Sequence, residues 1–359
     1  MNCVSRTPHP RVLDYITPTQ VVDGDECLWR LGFSCDPATS ALNRSGPAAA
    51  LGIAAHEIMS RLGDPLGFDT VWNEAVSSAA DDLTAQWAPA VPPSPENWPG
   101  WSLTRVRMRK LWERSPASVG HKVAPPSGAP QSKHSIPPLP WRERWIRHGT
   151  LPLAGRPDLV EQVDGKVCVI DLKTGLRQSE PNLAQRTQLL LYCELVRSEL
   201  GLRPTLAAVE STRGQRFTFD VDWEEVQDVV DHAVTKLECL NSGHVDGLAE
   251  SLATPSAKAC GLCPCRPICG PFFNIYDESW PTAHALLFEV RSVAQRVHGY
   301  EVEATVLKPR WRANEDVHIV GFPFDSRPEA GEVWGAVDFA GRANSAVAAW
   351  NTRVAKWSS

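Results

Sequence analysis

Two short segments carry the side chains best suited to phosphoryl chemistry. A Gly-Arg-Pro-Asp tetrapeptide ends at Asp158, and an Ile-Asp-Leu-Lys-Thr-Gly segment contains Asp171 and Lys173. Because side chains alternate across a strand, Asp171 and Lys173 are predicted on one face, with Ile170 and Leu172 buried on the other. Two carboxylates and an ammonium group that converge on one point suit a divalent cation and a phosphodiester.

Length and composition set broad limits. The chain has 359 residues, enough for one large domain or for two to three smaller ones, and its net charge is −6. It contains no apolar run of about 18 residues, and its polar N-terminus lacks the apolar segment of a secretory signal. We therefore expect a cytoplasmic protein without a membrane partner.

Positive charge is concentrated in one part of the chain. Residues 101–150 contain ten Lys or Arg residues and two Glu residues, although the whole chain is acidic. Such a segment indicates either a surface that faces a polyanion or a solvated helix face beside a linker, and the sequence leaves both alternatives open.

Helical patterns dominate the N-terminal part. Thr17 and Pro18 have the residue types of an N-cap and a first helical position, so a helix is predicted to begin there. Further helices are predicted over residues 47–62, 70–90 and 101–114. Proline-rich stretches over residues 89–99 and 125–140 are typical of linkers or surface loops.

Strand and helix patterns alternate in the middle of the chain. Strands are predicted over residues 143–153, 155–163, 166–172, 205–210 and 216–221. Helices are predicted over residues 181–200 and about 223–241. This order favours an α/β fold with a mixed central sheet flanked by helices.

The sequence changes character after residue 275. Short alternating apolar and polar runs, separated by Pro, Gly and Asn, predict a small, mainly β domain over residues 276–359 with a barrel as one possible form. Nine basic and eleven acidic residues give this region no polyanion signature. Its aromatic side chains would either stack on single-stranded nucleic acid or form a packed core: Trp311, Phe322, Phe324, Trp334 and Phe339.

Four pieces of the first 275 residues fit one site. They are Gly-x-x-x-His ending at His56, Asp158, the pair Asp171 and Lys173, and Gln-x-x-x-Tyr from Gln188 to Tyr192. A lone Asp-x-Lys is common, whereas the full set in this order is specific. Over roughly residues 15–275, with an insertion between about 65 and 140, the set resembles the RecB-like branch of the PD-(D/E)XK nuclease superfamily, including its CRISPR-associated and AddB-type relatives.

The resemblance implies a restriction-endonuclease-like core in residues 1–275 and a role for each matched residue. It implies that Mg²⁺ or Mn²⁺ binds His56, Asp158, Asp171 and the backbone carbonyl of Leu172. It also implies catalytic roles for Asp158, Asp171 and Lys173, and places Gln188 and Tyr192 near DNA. Simple packing of His56, Gln188 or Tyr192, and a plain ion pair between Asp171 and Lys173, are the alternatives.

A cysteine group adds a second site. Cys260, Cys263 and Cys269 form a Cys-x2-Cys-x5-Cys pattern, and clustered cysteines in a cytoplasmic chain indicate a metal or cluster rather than disulfides. In iron–sulphur members of the family this triplet joins a cysteine near the N-terminus, here Cys27, so the resemblance favours a 4Fe–4S cluster over zinc. Cys35 competes for the fourth position, and Cys265 is left out. Cys3, Cys168, Cys193 and Cys239 read as ordinary residues.

The first functional hypothesis is a metal-dependent deoxyribonuclease, exonuclease or endonuclease, that acts on single-stranded DNA or DNA ends. Relatives of this type serve DNA repair or recombination, CRISPR adaptation or defence against phage. No Gly-x4-Gly-Lys-Ser/Thr motif occurs, so a helicase would be a separate partner. A DNA-end-binding or scaffold subunit with little cleavage, and a zinc-stapled nucleic-acid-binding module, are the other hypotheses.

Overall fold

The structure is a computed structural model. It describes residues 12–35, 39, 42–87, 91–114, 139–173, 180–211, 215–245, 249–261, 263–277, 279–280, 284–297, 299–323, 326–342, 345–348 and 351–357. The helices are α1 (Pro18–Glu26), α2 (Leu28–Cys35), α3 (Pro47–Ser60), α4 (Phe68–Trp87), α5 (Trp101–Arg114), α6 (Leu183–Leu200), α7 (Trp223–Val245), α8 (Ala257–Gly261) and α9 (Gly270–Ile275). The strands are β1 (Trp141–Arg142), β2 (Ile146–Arg147), β3 (Ala154–Gly155), β4 (Leu159–Val163), β5 (Lys166–Lys173), β6 (Leu206–Ser211), β7 (Arg216–Asp220), β8 (His284–Arg296), β9 (Gly299–Lys308), β10 (Asp316–Phe322), β11 (Val333–Arg342), β12 (Ser345–Val347) and β13 (Arg353–Trp357).

A mixed five-stranded sheet forms the centre of the first part, as the sequence predicts. Its order is β1-β4-β5-β6-β7. Strands β5 and β6 run parallel and are joined through α6, whereas the other neighbouring pairs are antiparallel. Helices α6 and α7 cover one face with a continuous apolar core. Burial of that face fixes the register of β5, because a shift of one residue would turn its apolar side chains outward.

The expected strand over residues 143–153 is wrong. The chain instead forms β1, which pairs with β4, and β2, which pairs with β3 in a separate two-stranded sheet. Glu143 lies between them with φ +48°, a left-handed conformation that interrupts a strand. The strand predicted over residues 155–163 is likewise divided into β3 and β4, because Pro157 cannot donate a ladder hydrogen bond.

The N-terminal helices form two groups. Thr17 caps α1 as predicted: its side chain accepts from the backbone N–H of Gln20, and the Gln20 side chain bonds back to the Thr17 backbone. An extended residue, Cys27, then separates α1 from α2. Helices α3, α4 and α5 share their own core, so much of the predicted insertion is a packed helical unit. Most of the second proline-rich stretch lies outside the described residues.

The C-terminal region is β-rich, as expected, and its strands close into a ring. The sheet order is β12-β10-β9-β8-β11, and β12 also pairs with β11. Strand β12 runs parallel to β10 and antiparallel to β11, which gives a five-stranded barrel with β13 added beside β11.

The barrel decides between the two alternatives that the sequence left open for the aromatic residues. Phe322, Trp334 and Phe339 are fully or almost fully buried in the barrel core, so they hold the barrel together and present no face for stacking on nucleic acid. The side chain of Trp311 and the whole of Phe324 lie outside the described part of the chain. In the described ranges, no helix is both long enough and apolar enough to span a membrane.

Candidate metal centre and cysteine cavity

Strand β5 presents Asp171 and Lys173 together, as its alternation predicts. Nζ of Lys173 donates to Oδ1 of Asp171 at 3.0 Å, while Ile170 is buried on the opposite face. The Asp171 side chain is only 5% exposed. Its Oδ2 lies 2.9 Å from the same Nζ but accepts no hydrogen bond of suitable geometry, so a buried acceptor oxygen is left over. Such an orphaned oxygen fits a cation ligand.

Asp158 reaches the same place from the loop before β4. Its Oδ2 accepts a hydrogen bond of 2.6 Å from the backbone N–H of Leu172, which ties the loop to β5. Gly155, the last residue of β3, precedes this loop and lies close to α1 and α6, because a Cβ there would be 2.9 Å from Cδ of Pro18 and 3.0 Å from Cε1 of Tyr192. Gly155 is therefore required here for close approach of the backbone.

Helix α3 adds His56, and the segment between β1 and β2 adds Glu143. Nδ1 of His56 lies 3.2 Å from Oε1 of Glu143 and 3.7 Å from Oδ1 of Asp158. One ligand atom from each of these three residues lies within 4.8 Å of the others. Imidazole nitrogen and carboxylate oxygen are donors suited to Mg²⁺ or Mn²⁺, so the described residues fit such an ion.

Burial and charge shift the acid–base behaviour of this group. Burial raises the pKa of Asp158 to about 6, although the charge of His56 opposes the shift. Burial also raises the pKa of Asp171 against the effect of Lys173. Burial lowers the pKa of His56, but its hydrogen bond to Glu143 and the nearby carboxylates outweigh burial and raise it. Carboxylates crowded in this way repel each other, and a cation would relieve the repulsion.

All of the predicted catalytic, metal-binding and DNA-facing residues line one open cleft of about 1070 Å³. Gln188 and Tyr192 share a face of α6 as their spacing predicts, and Nε2 of Gln188 lies 3.4 Å from Oγ1 of Thr19. Tyr192 is mostly buried, and burial raises its pKa. Its ring thus supports the floor of the cleft.

Sequence reasoning missed Glu143. Its approach to His56 depends on a left-handed backbone in an irregular segment, which no periodicity indicates. A signal was present nevertheless, since Glu143 is one of two acids in the basic stretch of residues 101–150. Its carboxylate also pairs with Arg156, whose Nε lies 3.0 Å from Oε2.

A second, apolar cavity gathers the four cysteines predicted to hold a cluster. Cys27, Cys260, Cys263 and Cys269 line it together with Cys265, and all are free thiols. Five thiols in one apolar cavity are a soft donor set that suits Fe–S clusters or zinc. Cys265, left out on the sequence, is therefore a fifth candidate. Of the cysteines read as ordinary, Cys168 and Cys193 are core residues, Cys239 is exposed, and Cys3 lies outside the described residues. The side chain of Cys35, the competing candidate for the fourth position, also lies outside them.

Local hydrogen bonds distinguish the thiols of this cavity. The hydrogen bond with Cys265 lowers the pKa of Cys263, while burial raises the pKa of Cys260 to about 11 and also raises that of Cys269. A thiolate is the metal-binding form, so occupancy of the cavity would release protons.

Comparison with known proteins agrees with this geometry. A family model described as the PD-(D/E)XK nuclease superfamily matches residues 24–270, a range that includes all of the predicted site residues. No curated protein matches the chain. With an acid before β4, an Asp-x-Lys on β5 and a match over more than half of its length, the chain belongs to the PD-(D/E)XK nuclease superfamily.

Proposed function

We propose that the protein is a metal-dependent DNA nuclease that hydrolyses phosphodiester bonds in this cleft. The observation that carries the proposal is the convergence of Asp158, Asp171, Lys173 and His56 from a loop, a strand and a helix of a superfamily whose members are nucleases. Several buried carboxylates beside one ammonium group repel each other and destabilise the fold unless a cation binds to them.

Each side chain has a chemical task in this proposal. His56, Glu143, Asp158 and Asp171 would hold Mg²⁺ or Mn²⁺, which when bound polarises a phosphate oxygen and acidifies a water molecule. Lys173, held against Asp171, would orient the attacking water and offset negative charge that develops on the phosphate. Gln188 would contact the DNA backbone from the rim of the cleft.

The cysteine cavity is proposed to hold a 4Fe–4S cluster, with zinc as the alternative. Four thiolates from Cys27 and the segment from Cys260 to Cys269 would join the start of α2 to the end of the matched region. Such a link closes a long loop and removes conformational entropy from the unfolded chain. Among the described residues, none lines both this cavity and the acidic cleft, so we assign the cluster a structural role.

Substrate form and pathway are part of the same proposal. We favour single-stranded DNA or DNA ends as the substrate, in repair or recombination, CRISPR adaptation or phage defence. The 359 residues contain no P-loop motif, and we also propose that a helicase partner unwinds DNA for this nuclease.

The test is cleavage by anaerobically purified protein. Linear and circular DNA, single- and double-stranded, would be incubated with Mn²⁺ or Mg²⁺, with a chelator, and with an Asp171→Asn variant. Metal-dependent degradation that the chelator and the variant abolish supports the proposal and identifies the substrate form. Binding to DNA ends without cleavage of any form would instead support a scaffold subunit.

A further inference from the structure

One tryptophan of the acidic cleft is unusually exposed. Trp145 is 53% exposed, and among the described residues it is the only tryptophan that is mainly in solvent. It lies in the segment between β1 and β2, two residues after Glu143, and lines the cleft with His56 and Asp158. An exposed indole of this size leaves apolar area in water unless a ligand covers it.

Neighbouring side chains hold this indole in place. The ring of Tyr15 meets the ring of Trp145 edge to face, with centroids 6.0 Å apart and an angle of 70°. The guanidinium of Arg147 lies over Tyr15, 5.3 Å from its centroid. The Trp145 face is thereby presented on a supported platform, which limits the entropy lost when a planar ligand stacks on it.

Positive charge lies beside the platform. Arg147 is exposed and forms no ion pair with any residue that the structure describes. Arg156, 61% exposed, lines the cleft and is joined to Glu143. Ile53 of α3 adds an exposed apolar side chain to the same cleft. An aromatic face, an apolar neighbour and two guanidinium groups match a base attached to a phosphate backbone.

We propose that Trp145 stacks on an unpaired base of single-stranded DNA adjacent to the phosphate bound in the acidic cleft. The inference rests on the proposed nuclease function and specifies its substrate. Both faces of a base inside a duplex are already stacked, so the platform favours single strands or frayed ends. Arg147 binds the flanking phosphate, and Tyr15 is a positioning residue for the indole.

The experiment measures the affinity of full-length protein for a fluorescent oligothymidine by anisotropy. Every variant carries Lys173→Ala so that Mg²⁺ is present without turnover, and a duplex of equal length is measured alongside. Trp145→Ala is expected to weaken single-strand binding about tenfold or more, with little change for the duplex. Trp145→Phe retains a stacking face and is expected to remain close to the parent. Trp145→Leu retains only apolar bulk and should resemble Trp145→Ala. Leu202→Ala, at an exposed surface position, is the control for general surface truncation.

The outcomes separate this inference from the proposed function. Unchanged affinity for single-stranded DNA in a folded Trp145→Ala variant would overturn the proposal that Trp145 stacks on a base. Equal single-strand affinities of the Trp145→Leu and Trp145→Phe variants would also overturn it. If the wild-type protein cleaves DNA but Trp145→Ala does not change single-strand affinity, the stacking role of Trp145 is wrong and the proposed nuclease function stands. If the wild-type protein neither binds nor cleaves DNA, the proposed function and the platform fail together.

Discussion

Nδ1 of His56 lies 3.2 Å from Oε1 of Glu143, although 87 residues separate them in the chain. The contact brings α3 against the segment between β1 and β2, and Asp158 completes the group. It places a third acid beside Asp158 and Asp171, the two that the sequence motifs indicate.

Replacement of Glu143 by Gln tests whether this acid contributes to metal binding. Gln retains the size and one acceptor oxygen but removes the charge, so we expect Mn²⁺ affinity to fall by about 10- to 100-fold. Calorimetric titration of Mn²⁺ into the protein measures the change. Glu224→Gln, at an exposed position in the first turn of α7, should leave the affinity unaltered. Equal Mn²⁺ affinities for the two variants would show that Glu143 does not contribute to metal binding.

Asp158 is expected to destabilise the metal-free protein at neutral pH. Its folded pKa of about 6 lies above the ordinary 3.8, so its stabilising contribution is present at low pH and is lost as the pH rises through 6. Asp158→Asn should therefore raise the free energy of unfolding of the metal-free chain. The gain should grow by about 1 kcal/mol between about pH 5 and about pH 7.5.

Denaturant titrations at the two pH values measure this difference. Asp164→Asn is the matched control, because Asp164 lies in the exposed turn between β4 and β5 at φ 49°, a conformation that Asn tolerates. If the increase in the free energy of unfolding caused by Asp158→Asn did not vary with pH, the pKa of Asp158 would not be raised in the folded protein.

Local patterns were sufficient to predict β5 and the shared face of Asp171 and Lys173. Alternation depends only on the strand period, and burial of one face leaves a single register, so Asp171 and Lys173 had to share a side. The N-cap at Thr17 was equally local, since the cap and its box lie within four residues.

The features that sequence reasoning missed depend on contacts between distant segments. Glu143 and Trp145 reach the cleft because the chain leaves β1 in a left-handed conformation, which Glu does not favour by itself. For Phe322 and Trp334 the sequence left a packed core and a stacking surface as alternatives, because their burial depends on closure of the barrel. Cys265 was set aside by analogy, yet it lies in the cavity.

If the cysteine cavity holds a 4Fe–4S cluster, the protein should absorb visible light, and this absorbance should depend on the thiols that bind the cluster. Cys263→Ser should lose broad visible absorbance and become less stable, because the loop from Cys27 to Cys269 is no longer closed. Cys239→Ser, at an exposed position, should retain both properties. Spectra and iron and zinc analysis of anaerobic samples decide the occupant. A colourless wild-type protein with bound zinc would replace the cluster by a zinc site, and a brown, stable Cys263→Ser would exclude Cys263.

The C-terminal barrel is expected to stabilise the cysteine loop. Buried Arg266 donates to the carbonyl of Cys263 at 3.0 Å and to Oδ1 of Asp338 on β11 at 2.9 Å. A Cβ at Gly335 would lie 1.8 Å from the carbonyl oxygen of Pro267, so the barrel backbone touches this loop.

Asp338→Asn keeps the shape and the left-handed conformation at φ 67° but leaves the Arg266 charge uncompensated, which costs several kcal/mol at a buried site. We expect faster loss of visible absorbance under a chelator, whereas Asp316→Asn at an exposed ion pair should match the wild type. Identical decay rates would show that the barrel does not stabilise the loop.

Lys173 is proposed to act in phosphodiester hydrolysis, and a second lysine of β5 provides a matched control. Lys173 lies in the cleft and Lys166 is exposed at the other end of the same strand. The rate of Mn²⁺-dependent release of nucleotides from labelled single-stranded DNA would be compared for Lys173→Ala and Lys166→Ala. We expect a rate lower by about 10²- to 10⁴-fold for Lys173→Ala and an unchanged rate for Lys166→Ala. Equal rates for the two variants, or no hydrolysis by the wild type with metal bound, would contradict this proposal.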